Sequence, residues 1–295
     1  MRLTLLGTGT PAPSLERMGS GYLIETGGDT IVFDHGPGAH HRLLEAGRRA
    51  VDVTHCFLTH LHYDHCMDYA RLVMNRWDQG AGELGELQVF GPPPTARMTD
   101  LLFSPEGVYG PDIEARTRHR CSLDIYRARG GEGERARPDP QVREVGPGDV
   151  VEGKDWRVTV GEGWHFQPYL QCLAFRIDTD AGSVCYSGDS GGVCPGIVEL
   201  ARGADVLVHM NHFFTGTEPS PEYRRACGNH MDTAQVAAEA GVATLVLTHI
   251  TSQIDTPVMR SRILREMAPV FDGDIVWGRD LMEVPVGQAG PGRID

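Results

Sequence analysis

Short apolar runs separated by glycine-containing turns dominate the first ninety residues of the chain. Runs of this length that are bounded by glycine and proline predict β-strands. The predicted strands of this part are 3–6, 22–25, 30–33, 53–58 and 88–90. Apolar residues at helical spacing predict helices over 39–46 and 68–77.

The same order of elements, strands first and helices afterwards, returns in the second half of the chain. Strands are predicted at 142–145, 156–160, 172–178, 183–186, 206–208, 244–247 and 275–277, and helices at 233–240 and 260–267. About a dozen strands with four to six helices suit two β-sheets packed face to face with helices on the outer surfaces. The sequence therefore predicts an α/β protein with a four-layer αββα sandwich.

The stretch from 104 to 140 differs from the rest of the chain. It has seven arginines and seven acidic residues, several glycines and prolines, and little apolar periodicity. Such a segment is typical of an inserted excursion or lid and not of a separate core. We therefore expect one domain over residues 1–295 that carries this insertion.

Composition and charge narrow the range of functions that the chain could have. The chain carries 27 lysine and arginine residues against 40 acidic ones, a net charge of −13. Binding to a nucleic-acid backbone normally needs a concentrated positive surface, so this balance argues against a nucleic-acid partner. No apolar run approaches the eighteen residues of a membrane span. The N-terminus enters a predicted strand without a cleavable signal, so we expect a cytoplasmic protein.

The densest group of chemically capable side chains follows predicted strand 53–58. The segment contains His60, His62, Asp64 and His65 within six positions. His60 and His62 share a face because they lie two apart in an extended segment, and after a turn the other two can face a second point. Imidazole and carboxylate groups are natural ligands of a divalent cation such as zinc. The segment therefore predicts a metal site.

Three further polar residues stand at the tips of later predicted strands, where a core residue is not expected. They are His165, Asp189 and His249. Together with the first four they make seven candidate ligands. Seven ligands suit two adjacent metal ions that are joined by one bridging carboxylate.

Five segments are characteristic: LLGTGT at 5–10, FDHG at 33–36, HxHxDH at 60–65, YSGDS at 186–190 and LTH at 247–249. In these segments the chain resembles the metallo-β-lactamase superfamily, and within it the branch typified by ribonuclease Z and related phosphodiesterases. The resemblance covers nearly the whole chain except 104–140. It implies the metallo-β-lactamase fold and a metal-dependent hydrolase. It does not select a substrate, because the superfamily cleaves lactams, thioesters, sulfates, lactones, phosphodiesters and RNA.

The resemblance also implies a role for each candidate ligand. One metal is expected on His60, His62 and His165, the other on Asp64, His65 and His249, and Asp189 is expected to bridge them. Asp34 is expected to orient a ligand histidine, as the partners of metal-bound imidazoles usually do. The implied cofactors are two divalent ions, Zn2+ foremost, with Mn2+ or Fe2+ as alternatives.

The family's proton-delivering pair lies in a segment that reads HEAT, and the corresponding segment here is 209–212, HMNH. The resemblance implies two catalytic residues. Asp64 would orient the attacking water or accept its proton, and His209 would stabilise the oxyanion or protonate the leaving group. Methionine replaces the glutamate that would raise the pKa of the His209 imidazole. His212 and His230 therefore stay open as alternatives.

A hydroxide bound between two cations is a nucleophile at neutral pH. The site therefore favours a hydrolase that cleaves an ester-type bond (phosphodiester, carboxylic ester, lactone or sulfate) in a small organic substrate. The alternative is a ribonuclease Z-like RNA-processing endonuclease. Bacterial forms of that enzyme carry a tRNA-clamping arm between the two positions that correspond to His165 and Asp189. The 24-residue interval here leaves no room for the arm, which favours the small molecule.

Two other classes stay open at this stage. One is an oxidoreductase that uses iron, as in persulfide dioxygenase or flavo-diiron relatives, and metal analysis would separate it from a hydrolase. The other is a non-catalytic relative that binds a ligand, against which the seven intact candidate ligands argue. Dimers are common in this family, so a homodimer is a further expectation.

Overall fold

A computed structural model describes residues 1–81 and 84–287 of the chain. The strands are β1 (Arg2–Gly7), β2 (Gly21–Thr26), β3 (Asp29–His35), β4 (His55–Phe57), β5 (Gln88–Gly91), β6 (Gln141–Glu144), β7 (Val150–Glu152), β8 (Arg157–Glu162), β9 (Leu173–Thr179), β10 (Gly182–Tyr186), β11 (Val206–Met210), β12 (Thr244–Thr248), β13 (Asp274–Trp277) and β14 (Glu283–Val284). The helices are α1 (Ala39–Glu45), α2 (Tyr63–Cys66), α3 (Tyr69–Gln79), α4 (Thr95–Phe103), α5 (Gly110–Arg118), α6 (Arg120–Ala128), α7 (Pro195–Ala201), α8 (Pro221–Ala226), α9 (His230–Ala240) and α10 (Pro257–Met267), with a 3-10 helix at Ala50–Asp52.

The strands form two seven-stranded mixed sheets. The first has the order β14-β1-β2-β3-β4-β5-β6, antiparallel from β14 to β3 and parallel from β3 to β6. The second has the order β13-β12-β11-β10-β9-β8-β7, parallel from β13 to β10 and antiparallel from β10 to β7. Each sheet therefore joins a parallel half to an antiparallel half.

The main core lies between the two sheets. In β11, Val206 and Val208 face this core, whereas Leu207 faces the helices outside, because successive strand residues point to opposite sides of a sheet. Aromatic rings join the sheets across the core. The ring centroid of Phe57 in β4 lies 5.4 Å from that of Phe175 in β9.

Helices cover the outer face of each sheet and complete the four layers. Leu43 of α1 and Leu72 of α3 belong to the outer core of the first sheet. Ile197 of α7, Val236 of α9 and Ile263 of α10 belong to that of the second. The predicted αββα sandwich is confirmed. In the described residues, no helix has both the length and the apolar character that crossing a bilayer requires.

The number of helices exceeds the prediction. The described residues contain ten α-helices, where four to six were expected. Helices α2 and α4 to α8 were not predicted, and each of them is nine residues or fewer. In α5 and α6, charged residues interrupt the apolar repeat that reveals a longer helix. The segment 104–140 thus contains two helices and an irregular connection to β6.

Asp78 in α3 ties this segment to the rest of the fold. Its carboxylate accepts hydrogen bonds from Arg116, Arg129 and Arg135 at 2.8 to 2.9 Å. The Arg135 guanidinium also lies 4.2 Å from the centroid of the Trp77 ring. Burial would raise the pKa of Asp78, but the arginines outweigh it and lower that pKa. A charged network therefore fixes the segment to α3, and its role as a lid stays a prediction.

Candidate metal centre

Strand ends from both sheets converge at one edge of the sandwich. The carboxyl ends of parallel strands meet at such an edge, and this is where α/β proteins usually build their sites. The structure brings all seven predicted ligands together there in two groups. The first group is His60, His62, His165 and Asp189, and the second is Asp64, His65, Asp189 and His249.

Three imidazole nitrogens face one another in the first group. The Nε2 atom of His60 lies 2.9 Å from Nδ1 of His62, which lies 3.2 Å from Nε2 of His165. The same Nε2 of His165 lies 3.6 Å from Oδ2 of Asp189. Nitrogen ligands at zinc-binding distance around one tetrahedral ion are about 3.3 Å apart. The spacing in this group therefore fits a metal ion.

Carboxylates and imidazoles alternate in the second group. The Nε2 atom of His249 lies 3.3 Å from Oδ2 of Asp64 and 3.2 Å from Oδ2 of Asp189. The Nε2 atom of His65 lies 3.5 Å from Oδ2 of Asp64 and 3.3 Å from Oδ1 of Asp189. The Oδ1 atom of Asp64 is buried and has no hydrogen-bond partner in the described part of the chain. A cation or a water molecule would satisfy it.

The electrostatics of the site suit metal binding. Burial, reinforced by neighbouring imidazoles, lowers the pKa values of His60, His62 and His165. Burial would raise the pKa of Asp189, but the nearby His249 and His65 outweigh it and hold that pKa well below its usual range. Neutral imidazoles and an ionised carboxylate are the forms in which these side chains bind a metal.

Asp34 lies at the end of β3 and supports the second group. The backbone N–H and Oγ1 of Thr59 donate to its two carboxylate oxygens at 2.8 Å, and the Tyr186 hydroxyl donates to Oδ2 at 2.8 Å. Asp34 and His249 both have a left-handed backbone, with φ of 56° and 55°. Such strain in residues other than glycine is concentrated at functional sites. Thr59 and Tyr186 were not predicted to belong to the site, although both flank predicted ligand segments.

A close backbone contact holds α2 against β3. A β-carbon added to Gly36 would lie 1.9 Å from the carbonyl oxygen of Asp64. The backbone N–H of Ser20 donates to the same oxygen at 3.0 Å. The glycine of the FDHG segment is therefore required by the approach of the helix that carries Asp64 and His65.

His209 was predicted to act in catalysis, but its side chain forms no hydrogen bond with either group of candidate ligands in the described part of the chain. Alternation along β11 puts His209 on the same side as Leu207, toward α9. Its Nδ1 atom lies 2.9 Å from the Met210 carbonyl oxygen and 3.4 Å from Oγ1 of Thr233. Its Nε2 atom is buried without a hydrogen-bond partner among the described residues. These contacts do not support a role for His209 at the site.

Of the two alternatives, only His212 contacts a predicted ligand. Its Nδ1 atom lies 3.0 Å from Nδ1 of His249. His230 instead joins α9 to α10, because its Nε2 atom lies 3.0 Å from Oε2 of Glu266. Strand β11 ends at Met210. His212 lies beyond that end, so the alternation of side chains along the strand does not fix its direction.

The comparisons with known proteins agree with this fold. Residues 23–250 match the family described as Beta-lactamase superfamily domain. A protein named Ribonuclease Z from Mycobacterium marinum is 32% identical over 292 residues, which cover 97% of this chain and 99% of that protein. The chain therefore belongs to the metallo-β-lactamase superfamily. It is a hydrolase of that fold, and within the superfamily it is similar to proteins named ribonuclease Z.

Solved structures confirm the fold. The metallo-β-lactamase fold protein YhfI from Bacillus subtilis matches with a TM-score of 0.72 at 18% identity, over 96% of this chain and 99% of that one. Human tRNase Z, short form, matches with a TM-score of 0.68 at 18% identity, over 97% of this chain and 99% of that one. At these identities the likeness shows the architecture alone.

The predicted exclusion of nucleic acid in favour of a small-molecule partner is wrong. Relatives that match along 97% of the chain at 32% identity carry the name Ribonuclease Z. The net charge of −13 does not exclude a nucleic acid, because it sums the whole surface, whereas a ligand responds to the local field around its site. Neither the names of the relatives nor the net charge tests the predicted homodimer, which stays a prediction.

Proposed function

We propose that the protein is a dinuclear metal-dependent phosphodiesterase that acts on RNA. The observation that carries the proposal is the position of Asp189, whose carboxylate belongs to both groups of candidate ligands. The relatives named Ribonuclease Z favour the phosphodiester among the ester-type bonds that the site could cleave.

The proposed ligands are the seven predicted side chains, with Asp189 shared. Three imidazoles and a carboxylate in the first group are donors that zinc prefers, and Mn2+ and Fe2+ are alternatives. Two bound divalent ions supply an activated water molecule and polarise a phosphoryl oxygen. The buried Oδ1 atom of Asp64, which lacks a hydrogen-bond partner among the described side chains, fits a water molecule held beside such ions.

Asp64 is the proposed catalytic residue. Its Oδ2 atom faces Nε2 of His249 and of His65, which leaves Oδ1 to accept a hydrogen bond from the attacking water and so orient it. Burial would raise the pKa of Asp64, but the hydrogen bond with His249 and the charge of His65 outweigh it and lower that pKa. The carboxylate is therefore ionised and able to accept a hydrogen bond from that water.

The domain organisation belongs to the proposal as well. We propose one hydrolase domain over the chain, because residues from both sheets share the central core and the family match extends over 23–250. The cytoplasmic location stays a prediction.

The proposal is tested by substrate and metal dependence together. The purified protein is assayed on a short RNA, on methyl p-nitrophenyl phosphate and on p-nitrophenyl acetate, before and after treatment with a chelator. We expect hydrolysis of both phosphodiesters, loss of that hydrolysis on chelation and recovery with Zn2+. Hydrolysis of the acetate alone, or phosphodiester hydrolysis that survives complete metal removal, would contradict the proposal.

A further inference from the structure

The loop that carries His165 also carries two exposed aromatic residues, Phe166 and Tyr169, and the ring of Phe166 lies beside the candidate metal centre. The ring centroid of Phe166 lies 4.4 Å from that of His165 and 5.6 Å from that of His62. Phe166 nonetheless remains 40% exposed, and Tyr169 is 91% exposed. Burial of an aromatic ring stabilises a fold, so exposed rings on the loop that carries a candidate metal ligand point to contact with a bound molecule.

Hydrogen bonds within the loop hold these rings in place. The Gln167 side chain accepts the backbone N–H of His165 at 2.8 Å and donates to the Gly163 carbonyl oxygen at 2.6 Å. The Phe166 carbonyl oxygen accepts the backbone N–H of Tyr169 at 3.1 Å. The rings therefore project from a formed turn, which reduces the entropy lost when a ligand binds.

A cation lies beside the same loop. The guanidinium of Arg225, an exposed residue of α8, lies 4.5 Å from the centroid of the Trp164 ring. The next residue, Ala226, accepts a hydrogen bond from Nδ1 of His165 at 2.6 Å through its carbonyl oxygen. Arg224 pairs with Asp232, whereas Arg225 forms no ion pair within residues 1–81 and 84–287. Arg225 is therefore available to an anionic ligand close to His165.

We propose that Phe166, Tyr169 and Arg225 form a subsite for an unpaired segment of RNA next to the bond that is cleaved. This inference rests on the proposed phosphodiesterase function and names the form of its substrate. Proteins that bind single strands combine aromatic rings, on which bases stack, with cations that contact the phosphates. Both contacts tolerate any sequence, since every base has a flat face and every nucleotide a phosphate. The subsite thus selects single-stranded RNA without sequence preference.

Equilibrium binding of a labelled, non-cleavable RNA tests the subsite. The probe is a short single-stranded RNA with phosphorothioate linkages, and its fluorescence anisotropy is followed as metal-loaded protein is added. Tyr169→Ala is expected to weaken binding about 10-fold through the loss of one base stack. Tyr169→Phe keeps the ring and is expected to bind like the wild type. Arg225→Ala is expected to weaken binding and to reduce the slope of log affinity against log salt by about 0.7, the value of one single-strand phosphate contact.

Two matched control variants each remove an exposed side chain of similar character from α6, a different part of the sequence. Ile125→Ala removes an exposed apolar group from α6, and Arg120→Ala removes an exposed cation from the same helix. Both are expected to bind RNA like the wild type. Phe166 is left intact, because it packs against His62 and His165 and its truncation would disturb them.

The subsite and the proposed function fail in different ways. Wild-type binding of RNA by both Tyr169→Ala and Arg225→Ala overturns the subsite and leaves the proposed function unaffected. Absence of phosphodiester hydrolysis by the wild type overturns the proposed function. The binding measurement does not depend on turnover, so each result is read independently.

Discussion

The Nδ1 atom of His65 lies 2.7 Å from Oδ2 of Asp34, and both side chains are fully buried. Burial would lower the pKa of His65, but the carboxylates of Asp189 and Asp34 outweigh it and hold that pKa well above its usual range. With Nδ1 directed to Asp34, Nε2 of the same ring faces Asp64 and Asp189. The contact therefore fixes the orientation of the ring and keeps a proton on Nδ1, so that Nε2 is the atom at which a metal ion would replace the second proton.

Replacement of Asp34 tests this support. Asp34→Asn removes the charge that attracts the His65 N–H, and we expect the affinity of the second ligand group for Zn2+ to fall about 10- to 100-fold. Competition with a fluorescent zinc chelator measures the change. The control is Asp29→Asn, which alters a carboxylate at the other end of β3. Equal zinc affinity in Asp34→Asn and the control would show that Asp34 does not position His65 for a metal.

The roles of His209 and His212 can be tested separately. Burial and the charge of His249 lower the pKa of His212 to about 4, so His212 is neutral at pH 7 and can accept a hydrogen bond from His249. We expect His212→Asn to weaken zinc binding about 10-fold through the lost orientation of His249. His209→Asn is expected to lower Tm, because His209 is buried, and to leave zinc affinity unchanged. If His209→Asn weakened zinc binding and His212→Asn did not in the same competition assay, His209 and not His212 would belong to the site.

The network around Asp78 makes the 104–140 segment depend on one carboxylate. Asp78→Asn leaves Arg116, Arg129 and Arg135 without their shared partner, and we expect the free energy of unfolding to fall by about 3 kcal/mol. Limited proteolysis should then cut this segment first. Asp112→Asn is the control, because Asp112 pairs on the surface with Arg116 and an exposed pair contributes about 0.5 kcal/mol. If both variants unfold alike in urea, the network does not anchor the segment.

Two buried histidines outside the metal-ligand groups predict acid sensitivity. Nε2 of His35 lies 3.2 Å from Nδ1 of His40, and burial lowers their pKa values to about 3 and about 4. An unfolded chain, in which the pKa is about 6.5, binds protons that the folded chain does not. Stability is therefore complete above pH 6.5 and falls below it, by about 1.4 kcal/mol per pH unit for each histidine that titrates.

Thermal unfolding of a His40→Gln variant between pH 7 and pH 4 measures this contribution. We expect its Tm to fall less steeply with acid than that of the wild type, since one titrating group is gone. His41→Gln, at an exposed neighbouring position, should keep the wild-type slope. If Tm fell equally steeply with acid in His40→Gln and in the wild type, the buried pair would not be a cause of the acid sensitivity.

The candidate ligands were predictable from the sequence for a physical reason. Each is a polar residue placed where an apolar strand ends, and parallel strands bring such ends to one edge. Asp189 and His249 could therefore be named from their position alone. The helices of 104–140 could not be predicted, because their surfaces are mostly charged and the contact that fixes them is with Asp78 in α3.

Other parts of the site depend on contacts that no local pattern reveals. The Tyr186 hydroxyl reaches Asp34 across 152 positions of the chain, and Arg225 meets Trp164 only through the packing of α8. The choice of His209 over His212 followed a family motif. The structure instead shows that the register of β11 and its end at Met210 decide which histidine contacts His249.

The metal content of active, untreated protein is the most direct test of the shared-carboxylate centre. Elemental analysis is expected to find two equivalents of divalent metal per chain in the wild type and in the control Asp180→Ala, which alters an exposed carboxylate between β9 and β10. Asp189→Ala is expected to hold at most one equivalent and to lose at least 100-fold in activity. Two equivalents retained in Asp189→Ala, or active wild type without stoichiometric metal, would contradict the account.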